Sequence, residues 1–216
     1  MPPPRVSETE TRNDGSTPIR ILTVCTGNIC RSPVAERLLQ AGLDQVKPGA
    51  FRVRSAGTRA MVGEPVQPIS ARIITAYGGT PEGFAARQLT PAILRDTDLV
   101  LTMAARHRGE VLQLDPSLLR RTFTIREFAR MLETLAERDP GQGDGGPGSS
   151  SEAELQALWR GLPARAASVR HLALAAEPDA NDVVDPYRRG EDIYRQMEDE
   201  LAPAILTILR FARHHS

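Results

Sequence analysis

Four short runs of apolar and β-branched residues recur along this 216-residue chain, with segments of helical spacing between them. Runs this short and this apolar are typical of strands that are buried on both faces of a parallel sheet. When helices alternate with such strands, they cover both faces of the sheet. The sequence therefore predicts an α/β fold, a three-layer α/β/α domain with a four-stranded parallel sheet. Its strands are expected at residues 19–24, 51–55, 99–103 and 121–125.

Capping residues and apolar spacing place the helices between those strands. Ser32 is a good N-cap and Pro33 suits the first helical position, so the first helix is expected to begin there and to end near 42–48. Thr90 and Pro91 form a second pair of this kind. Apolar spacing predicts further helices near 69–74, 104–114, 126–137 and 193–208.

The domain is expected to span residues 19–212, because polar segments without apolar periodicity flank it. Residues 1–18 should form a disordered leader, and residues 213–216 a short tail. At this chain length, one domain with tails or an insertion is the default, and a second full domain is not expected.

An insertion is expected within the domain, at about 138–180. Its first part, 139–151, is rich in Gly, Pro and Ser and should be flexible. A helical pattern follows over 152–176, and Gly161 and Pro163 are expected to break it in the middle.

Composition limits the classes of partner. The chain has 27 basic and 27 acidic residues, so its overall charge does not favour nucleic acid or an anionic membrane. No run approaches the roughly 18 apolar residues of a membrane span, and the N-terminal segment lacks the apolar stretch of a secretory signal. With only two cysteines, we expect a cytoplasmic protein without a disulfide framework. His107 and His171 lack metal-ligand spacing, so no metal site is expected.

The loop after the first strand carries the chemistry. It reads Cys25-Thr-Gly-Asn-Ile-Cys-Arg-Ser-Pro33 and leads from the carboxyl end of a strand into a helix N-terminus, a place where α/β folds bind anions. Gly27 is small and Asn28 tolerates the left-handed conformation, so successive backbone N–H groups can turn inward around an oxyanion. The sequence predicts a phosphate-binding loop formed by Thr26, Gly27, Asn28, Ile29, Cys30 and Arg31.

Three side chains of this loop suit phosphoryl transfer. The helix N-terminus and Arg31 favour the thiolate form of Cys25, which is then a nucleophile at neutral pH. Arg31 can bind two phosphate oxygens with its planar guanidinium, and the Ser32 hydroxyl can donate to the thiolate. Cys30 has two open interpretations: a buried apolar side chain, or the partner of Cys25 in a reversible disulfide.

The loop resembles the signature of the low-molecular-weight protein tyrosine phosphatase family, which also includes thioredoxin-coupled arsenate reductases and bacterial arginine phosphatases. The resemblance covers most of residues 19–212 apart from 138–180. It implies a four-stranded parallel sheet, a cysteinyl-phosphate intermediate, no metal or other cofactor, and a phosphotyrosine-containing protein as substrate. Further family motifs follow in order: Ser55-Ala-Gly-Thr58, Gly63-Glu-Pro65, Ala86-Arg-Gln-Leu-Thr90, Asp98-Leu-Val-Leu101 with Met103, and Asp185-Pro-Tyr187.

An acid is also needed, because the leaving oxygen departs more easily when it is protonated. Asp-Pro pairs occur at Asp115, Asp139 and Asp185. The first two are interpreted as a cap and as the start of the low-complexity tract. Asp185 precedes Tyr187 and the final helix, where the resemblance places the acid; an Asx cap of that helix is the alternative. A thiolate that acts together with a neutral acid predicts a bell-shaped pH dependence.

Positions around the loop depart from the family pattern. Met61 stands where relatives commonly have a large aromatic residue at the rim of the pocket. Discrimination between substrates is therefore expected to be weaker and the range of substrates broader. Phe84 replaces a histidine that helps to hold the loop asparagine, so Asn28 is expected to rely on Ser55 alone. Tyr187 either lines the pocket or packs between the final helix and the sheet.

These features together predict a phosphoric monoester hydrolase, specifically a protein tyrosine phosphatase. Three alternatives remain: a phosphate-binding regulatory module with weak turnover, an arginine phosphatase, and a thiol-dependent arsenate reductase of the same family. Ile29 favours phosphotyrosine, because arginine phosphatases that resemble this sequence typically carry threonine there. An arsenate reductase needs further cysteines to resolve the adduct on Cys25, and beyond Cys30 the chain has none.

Overall fold

The computed structural model describes residues 17–138 and 151–215, which form a parallel four-stranded sheet with helices on both sides. The sheet order is β2-β1-β3-β4, which confirms the predicted fold class. The strands are β1 Ile19–Cys25, β2 Phe51–Gly57, β3 Leu99–Thr102 and β4 Thr122–Thr124. The α-helices are α1 Arg31–Val46, α2 Pro68–Ala76, α3 Pro91–Arg95, α4 Ala105–Leu114, α5 Ile125–Arg138, α6 Glu152–Ser168 and α7 Glu191–His214. Pro116–Arg120 and Pro178–Asn181 form short 3-10 helices.

The carboxyl ends of the strands meet at one edge of the sheet. The register pairs Cys25 at the end of β1 with Gly57 of β2, and Val24 with Thr102 of β3. The loops that follow β1, β2 and β3 therefore lie around Cys25. Glycine is required at position 57 for this approach, because a Cβ there would overlap the carbonyl oxygen of Thr26.

Apolar clusters lie on both faces of the sheet. Along β1, Ile21 joins the larger cluster, which also contains residues of α1, α5, α6 and α7, whereas Leu22 joins the smaller one, beneath α3 and α4. This alternation is the pattern of a strand buried on both faces. The last helix, α7, contacts both α1 and α5 and so holds the larger layer together.

The predicted break in α6 is absent. The helix runs unbroken from Glu152 to Ser168 with Pro163 inside it, and it ends well before residue 176. Trp159 explains why, since it is buried and packs edge-on against Phe51 (ring centroids 4.9 Å apart) and against Phe211 (6.3 Å). Burial of this helix face outweighs the one backbone hydrogen bond that a proline removes. This helix of the predicted insertion is thus part of the core.

Several local boundaries also differ from those predicted. Helix α1 begins at Arg31, with Cys30 rather than Ser32 at its N-cap position, because the Ser32 hydroxyl is engaged elsewhere. Strand β2 continues two residues beyond residue 55, to Gly57. The cap at Thr90 is confirmed: its side chain accepts a hydrogen bond from the Ile93 amide.

Parts of the predicted organisation lie outside the described residues. This applies to residues 1–16 of the predicted leader, to 139–150 of the low-complexity tract, and to residue 216. Among the described helices, none has both the length and the apolar character that crossing a bilayer requires.

Candidate active site

The loop between β1 and α1 is held by its neighbour, the segment that follows β2. Asn28 adopts the left-handed conformation (φ 56°), as its residue type predicts. Three loop carbonyls accept hydrogen bonds from outside the loop: Arg59 N donates to Thr26 O (3.0 Å), Met61 N to Gly27 O (3.0 Å) and Gln67 N to Ile29 O (2.8 Å). With its carbonyls turned outward, the loop presents its N–H groups to the interior, which is the geometry of an anion nest.

The sulfur of Cys25 is buried among hydrogen-bond donors. The Asn28 amide donates to Cys25 Sγ over 3.3 Å, and Ser32 Oγ lies 3.0 Å from the same sulfur. Helix α1 begins just beyond the loop, so its positive end also points toward the sulfur. All three features place hydrogen-bond donors or a positive helix end beside the sulfur. They also explain why Ser32 does not cap the helix.

The side chain of Asn28 has more partners than predicted. Its Nδ2 donates to Ser55 Oγ (2.7 Å) and to Ser32 Oγ (2.9 Å), while its Oδ1 accepts from the Arg87 amide (2.7 Å). The expectation that Asn28 relies on Ser55 alone is therefore wrong, because a backbone amide and a second hydroxyl occupy its remaining positions. Ser55 in turn donates to the buried carboxylate of Glu36.

Glu36 anchors this network and was not predicted from the sequence as a site residue. It lies on the buried face of α1, where the neighbouring side chains are apolar. Its carboxylate accepts from Ser55 and has two arginines nearby, Arg37 (3.6 Å) and Arg87 (3.8 Å). A charged residue on an otherwise apolar helix face was the available signal. Phe84 lies beneath the guanidinium of Arg37, whose Cζ is 5.6 Å from the ring centroid.

Arg31 connects the loop to the segment before α7. Its side chain is only 3% exposed; Nη2 lies 2.6 Å from Asp185 Oδ2, and Nη1 donates to the Val183 carbonyl over 3.2 Å. Asp185 Oδ1 also accepts from the Tyr187 amide at 3.3 Å, so the predicted Asx-type contact is present as well. Of the other Asp-Pro candidates, Asp115 caps a 3-10 helix, and Asp139 lies outside the described residues.

A cavity of about 150 Å³ opens above Cys25. Asn28, Ser32 and Ser55, which are predicted site residues, lie buried behind the sulfur. Tyr187 contributes to the cavity and also packs against the larger apolar cluster, so both of its interpretations hold in part. The remaining predicted site residues line the cavity together with Arg59: Cys25, Thr26, Gly27, Ile29, Cys30, Arg31, Met61, Asp185 and Tyr187.

Arg106 and His107 also reach the site, and neither was predicted from the sequence to do so. Arg106 Nη2 lies 3.5 Å from Asp185 Oδ2 and 3.4 Å from Thr26 Oγ1. His107 Nε2 lies 2.9 Å from Thr26 Oγ1, and its ring is fully buried. Both residues begin α4 directly after β3, which is a neighbour of β1. That position is the signal that identifies them, since the carboxyl ends of adjacent parallel strands share one edge.

The environment of His107 keeps its imidazole neutral. Burial lowers the pKa of His107 to about 3, and the positive charges of Arg31 and Arg106 act in the same direction. Its contact with Thr26 Oγ1 is therefore made by an uncharged ring throughout the neutral pH range.

Protonation of His107 is expected to destabilise the fold in acid. The unfolded chain takes up this proton near pH 6.5 and the folded protein only near pH 3, so the free energy of unfolding falls as the pH falls between these values. Between pH 6.5 and 5 the loss is about 2 kcal/mol. Denaturant titrations of a His107→Gln variant should lack this part of the pH dependence, whereas the exposed control His171→Gln should retain it. Identical slopes for both variants would contradict the assignment.

The second cysteine of the loop is in a different environment. Cys30 Sγ lies 3.7 Å from the Tyr194 hydroxyl, and burial raises the pKa of this thiol to about 11. Cys25 and Cys30 are both unbonded in this structure. Cys30 thus carries a protonated thiol at neutral pH.

A family model described as low molecular weight phosphotyrosine protein phosphatase matches residues 20–148 of the chain. The chain belongs to this family. One relative, the low molecular weight protein-tyrosine-phosphatase Etp of Escherichia coli K12, is 39% identical over 120 residues, which are 56% of this chain and 76% of Etp. Another, the probable phosphatase AmsI of Erwinia amylovora, is 40% identical over 113 residues, 52% of this chain and 75% of AmsI.

Solved structures of the family share the fold. The crystal structure of Erwinia amylovora AmsI superposes with a TM-score of 0.61 at 24% identity, covering 91% of this chain and 95% of AmsI. Vibrio vulnificus Wzb in complex with benzylphosphonate gives 0.59 at 21% identity, covering 89% and 97%. The YwlE arginine phosphatase from Geobacillus stearothermophilus gives 0.59 at 24% identity, covering 89% and 92%. Because this coverage exceeds the matched family segment, the shared fold extends beyond residue 148.

Proposed function

We propose that this chain is a protein tyrosine phosphatase that hydrolyses phosphotyrosine through a cysteinyl-phosphate intermediate, with residues 19–212 as its phosphatase domain. The proposal rests mainly on one observation: Cys25, Arg31 and Asp185 line the same cavity. Hydrogen-bond donors surround the Cys25 sulfur, Arg31 can bind phosphate, and Asp185 can transfer a proton. Membership of the family supports the same chemistry.

In the first step, the loop N–H groups and Arg31 bind the phosphoryl oxygens, and Cys25 Sγ attacks phosphorus. The S–P bond forms as the bond to the tyrosine oxygen breaks, and Asp185 supplies the proton that this oxygen takes up. Arg31 compensates the charge that spreads over the equatorial oxygens in the transition state.

In the second step, water hydrolyses the cysteinyl-phosphate. Asp185, now ionised, accepts a proton from the water as its oxygen bonds to phosphorus, and the S–P bond breaks. The departing thiolate of Cys25 is stabilised by the Ser32 hydroxyl and the Asn28 amide, which lie 3.0 and 3.3 Å from the sulfur. The cycle returns both catalytic groups to their starting states without metal or cofactor.

Because Arg31 and Asp185 form an ion pair, the substrate phosphate has to displace the Asp185 carboxylate when it binds to Arg31. In the free protein this carboxylate occupies one Nη atom of Arg31 and lies near Arg106. A phosphate dianion competes for both guanidinium groups, which releases the carboxylate toward the leaving oxygen; the proton that Asp185 then donates to this oxygen is taken up from solvent water. Substrate binding and preparation of the acid are thus one event.

The rim of the cavity supports a phosphoprotein substrate. Met61 and Tyr187 provide the apolar walls, and Arg188 stacks on the tyrosine ring at 5.2 Å. Arg59 and Arg106 are both more than half exposed beside the opening, so the surroundings of the phosphate are basic. Basic rims attract acidic sequences, so phosphotyrosine with acidic neighbours is the proposed substrate class. A reaction that needs Cys25 reduced suits a cytoplasmic location.

An arginine phosphatase remains the second candidate, because a structure of that activity has the same fold. The apolar Ile29 side chain, which lines the cavity, favours an aromatic leaving group over a guanidinium. The regulatory-module and arsenate-reductase alternatives predict, respectively, binding with little turnover and consumption of added thiol with arsenate.

Activity against aryl phosphates and phosphotyrosine peptides tests the proposal. With purified full chain, kcat/KM against pH is expected to be bell-shaped, because one group must be ionised and another protonated. Peptides with acidic flanks should exceed basic-flanked ones of equal length, and the difference should shrink at high salt. Hydrolysis of phosphoarginine but not of phosphotyrosine would transfer the assignment to the second candidate, and binding without turnover would favour a regulatory module.

A further inference from the structure

A group of arginines surrounds the free edge of β2, and it shares no residue with the lining of the active-site cavity. β2 is an edge strand of the sheet. Two clefts of about 240 and 530 Å³ border it, and Arg52, Arg54 and Arg87 line both. Arg20 contributes to the smaller cleft and Arg37 to the larger. These five residues are called the β2 arginine cluster.

The strand itself presents the centre of this cluster. Arg52 and Arg54 are exposed, whereas the residues that alternate with them are buried. Arg20 lies beside Arg52 in the register of β1 and β2, so the three side chains share one face of the sheet. On this face α3 forms the opposite wall of the smaller cleft through Ala92 and Ile93. The smaller cleft therefore has one basic and one apolar side.

Carboxylates neutralise only part of the cluster. Arg20 is paired with Asp96, and its Nε lies 3.1 Å from Asp98 Oδ2. Arg52 and Arg54 form no ion pair or side-chain hydrogen bond with any residue that the structure describes. Since the whole chain has equal numbers of basic and acidic residues, this excess of positive charge is a local feature.

Arg87, the third arginine that lines both clefts, shares its nearby carboxylate with other groups. Glu36 is the carboxylate near Arg87, at 3.8 Å, but it also serves Arg37 at 3.6 Å and the Ser55 hydroxyl. Burial lowers the pKa of Arg87; Glu36 opposes this effect, while the charges of Arg54 and Arg37 add to it. Neighbouring like charges that share too few counterions are unfavourable unless an anion joins them.

We propose that the β2 arginine cluster binds a small molecule with two or more phosphoryl groups. A guanidinium binds phosphate oxygens in pairs, and three of them line both clefts. The smaller cleft, of about 240 Å³, has room for a compact ligand, and its apolar side, with Leu22 and Ile93, suits a non-ionic part of that ligand. The phosphoryl charge replaces the carboxylates that Arg52 and Arg54 lack.

Calorimetric titration with tripolyphosphate tests this site. The full chain is titrated while benzylphosphonate saturates the active-site cavity, and a variant with both Arg52→Gln and Arg54→Gln is compared with Arg195→Gln. Arg195 is an exposed arginine of α7 with no ion pair to a described residue. Wild type and Arg195→Gln are expected to bind tripolyphosphate equally, and the double variant at least tenfold more weakly. Arg54→Lys, which keeps the charge but loses the planar fork, should fall between them.

Three results would overturn the proposal. The double variant binding as tightly as Arg195→Gln places the ligand elsewhere. Complete loss of tripolyphosphate binding when benzylphosphonate is present assigns it to the active-site cavity. Tighter binding of an RNA oligonucleotide than of tripolyphosphate through the same arginines makes the occupant a macromolecule. If benzylphosphonate itself fails to bind, the proposed function is in doubt, but the comparison between variants still decides this site.

The variants also report on folding. Because Arg52 and Arg54 repel each other and Arg87, the double variant is expected to unfold at the same temperature as wild type or higher at low ionic strength. A large fall in the unfolding temperature would show that these side chains stabilise the fold through contacts, which contradicts an unneutralised cluster.

Discussion

Replacement of Cys25 by serine is expected to lower kcat for aryl phosphate hydrolysis by about 10⁵-fold or more while phosphate still binds. A serine hydroxyl is not ionised at neutral pH, and the two described groups that contact the sulfur, the Ser32 hydroxyl and the Asn28 amide, are not bases that would remove its proton. The Asn28 amide and the Ser32 hydroxyl, which surround the sulfur, stabilise an anion and cannot create one. In the proposed mechanism phosphate binding depends on Arg31 and the loop N–H groups, which the substitution leaves in place.

Steady-state kinetics, phosphate calorimetry and thermal unfolding of the same preparation measure this effect. An acid-quenched wild-type reaction should also contain protein phosphorylated at Cys25, and the variant should contain no phosphocysteine. A variant that retains more than about one hundredth of wild-type turnover would show that another group attacks phosphorus. Loss of phosphate binding with an unchanged unfolding temperature would show that the sulfur itself holds the ligand.

Replacement of Asp185 by asparagine should affect turnover and binding in opposite directions. Without a proton donor, kcat is expected to fall by about 10²- to 10⁴-fold for substrates with a poor leaving group, such as phosphotyrosine. The fall should be much smaller for nitrophenyl phosphate, because nitrophenolate leaves unprotonated. Phosphate should bind about two- to fivefold more tightly, because Arg31 no longer has a competing carboxylate. This pair is partly exposed, so it is worth at most about 1 kcal/mol.

Asp115→Asn is the matched control for this prediction. Asp115 also precedes a proline, but its carboxylate accepts from the Ser117 amide at the start of a 3-10 helix and does not line the active-site cavity. It should change stability slightly and leave both turnover and phosphate affinity unaltered. An Asp185→Asn variant that loses activity equally for all leaving groups would indicate a structural role for this residue instead of proton donation.

The parts of the molecule that depend on local sequence were predictable. The strands could be located from the sequence because they are short, apolar runs. The loop from Cys25 to Arg31 could be located because it lies within one continuous strand-loop-helix unit. Asn28 takes the left-handed conformation because its residue type tolerates it. Asp185 required the family resemblance, since three Asp-Pro pairs look alike without it.

The parts that depend on tertiary neighbours were not predictable in this way. His107 and Arg106 reach the loop because β3 lies beside β1, a pairing that no local pattern specifies. Pro163 remains helical because Trp159 on the same helix is buried by aromatic rings from other elements. Ser32 has the residue type of an N-cap, but its hydroxyl faces Cys25 and Asn28 instead. In each case a long-range contact overrides a sound local preference.

The contacts of α7 have a consequence for synthesis on the ribosome. The proposed nucleophile, Cys25, is translated early, yet the proposed acid, Asp185, comes late, and the helix that covers α1 and α5 follows it. A nascent chain that has just completed α5 therefore contains Cys25 and Arg31 but lacks both the proton donor and a large part of the core. Phosphatase activity is expected to appear only when the last helix has emerged, which keeps an unfinished chain from acting on phosphoproteins.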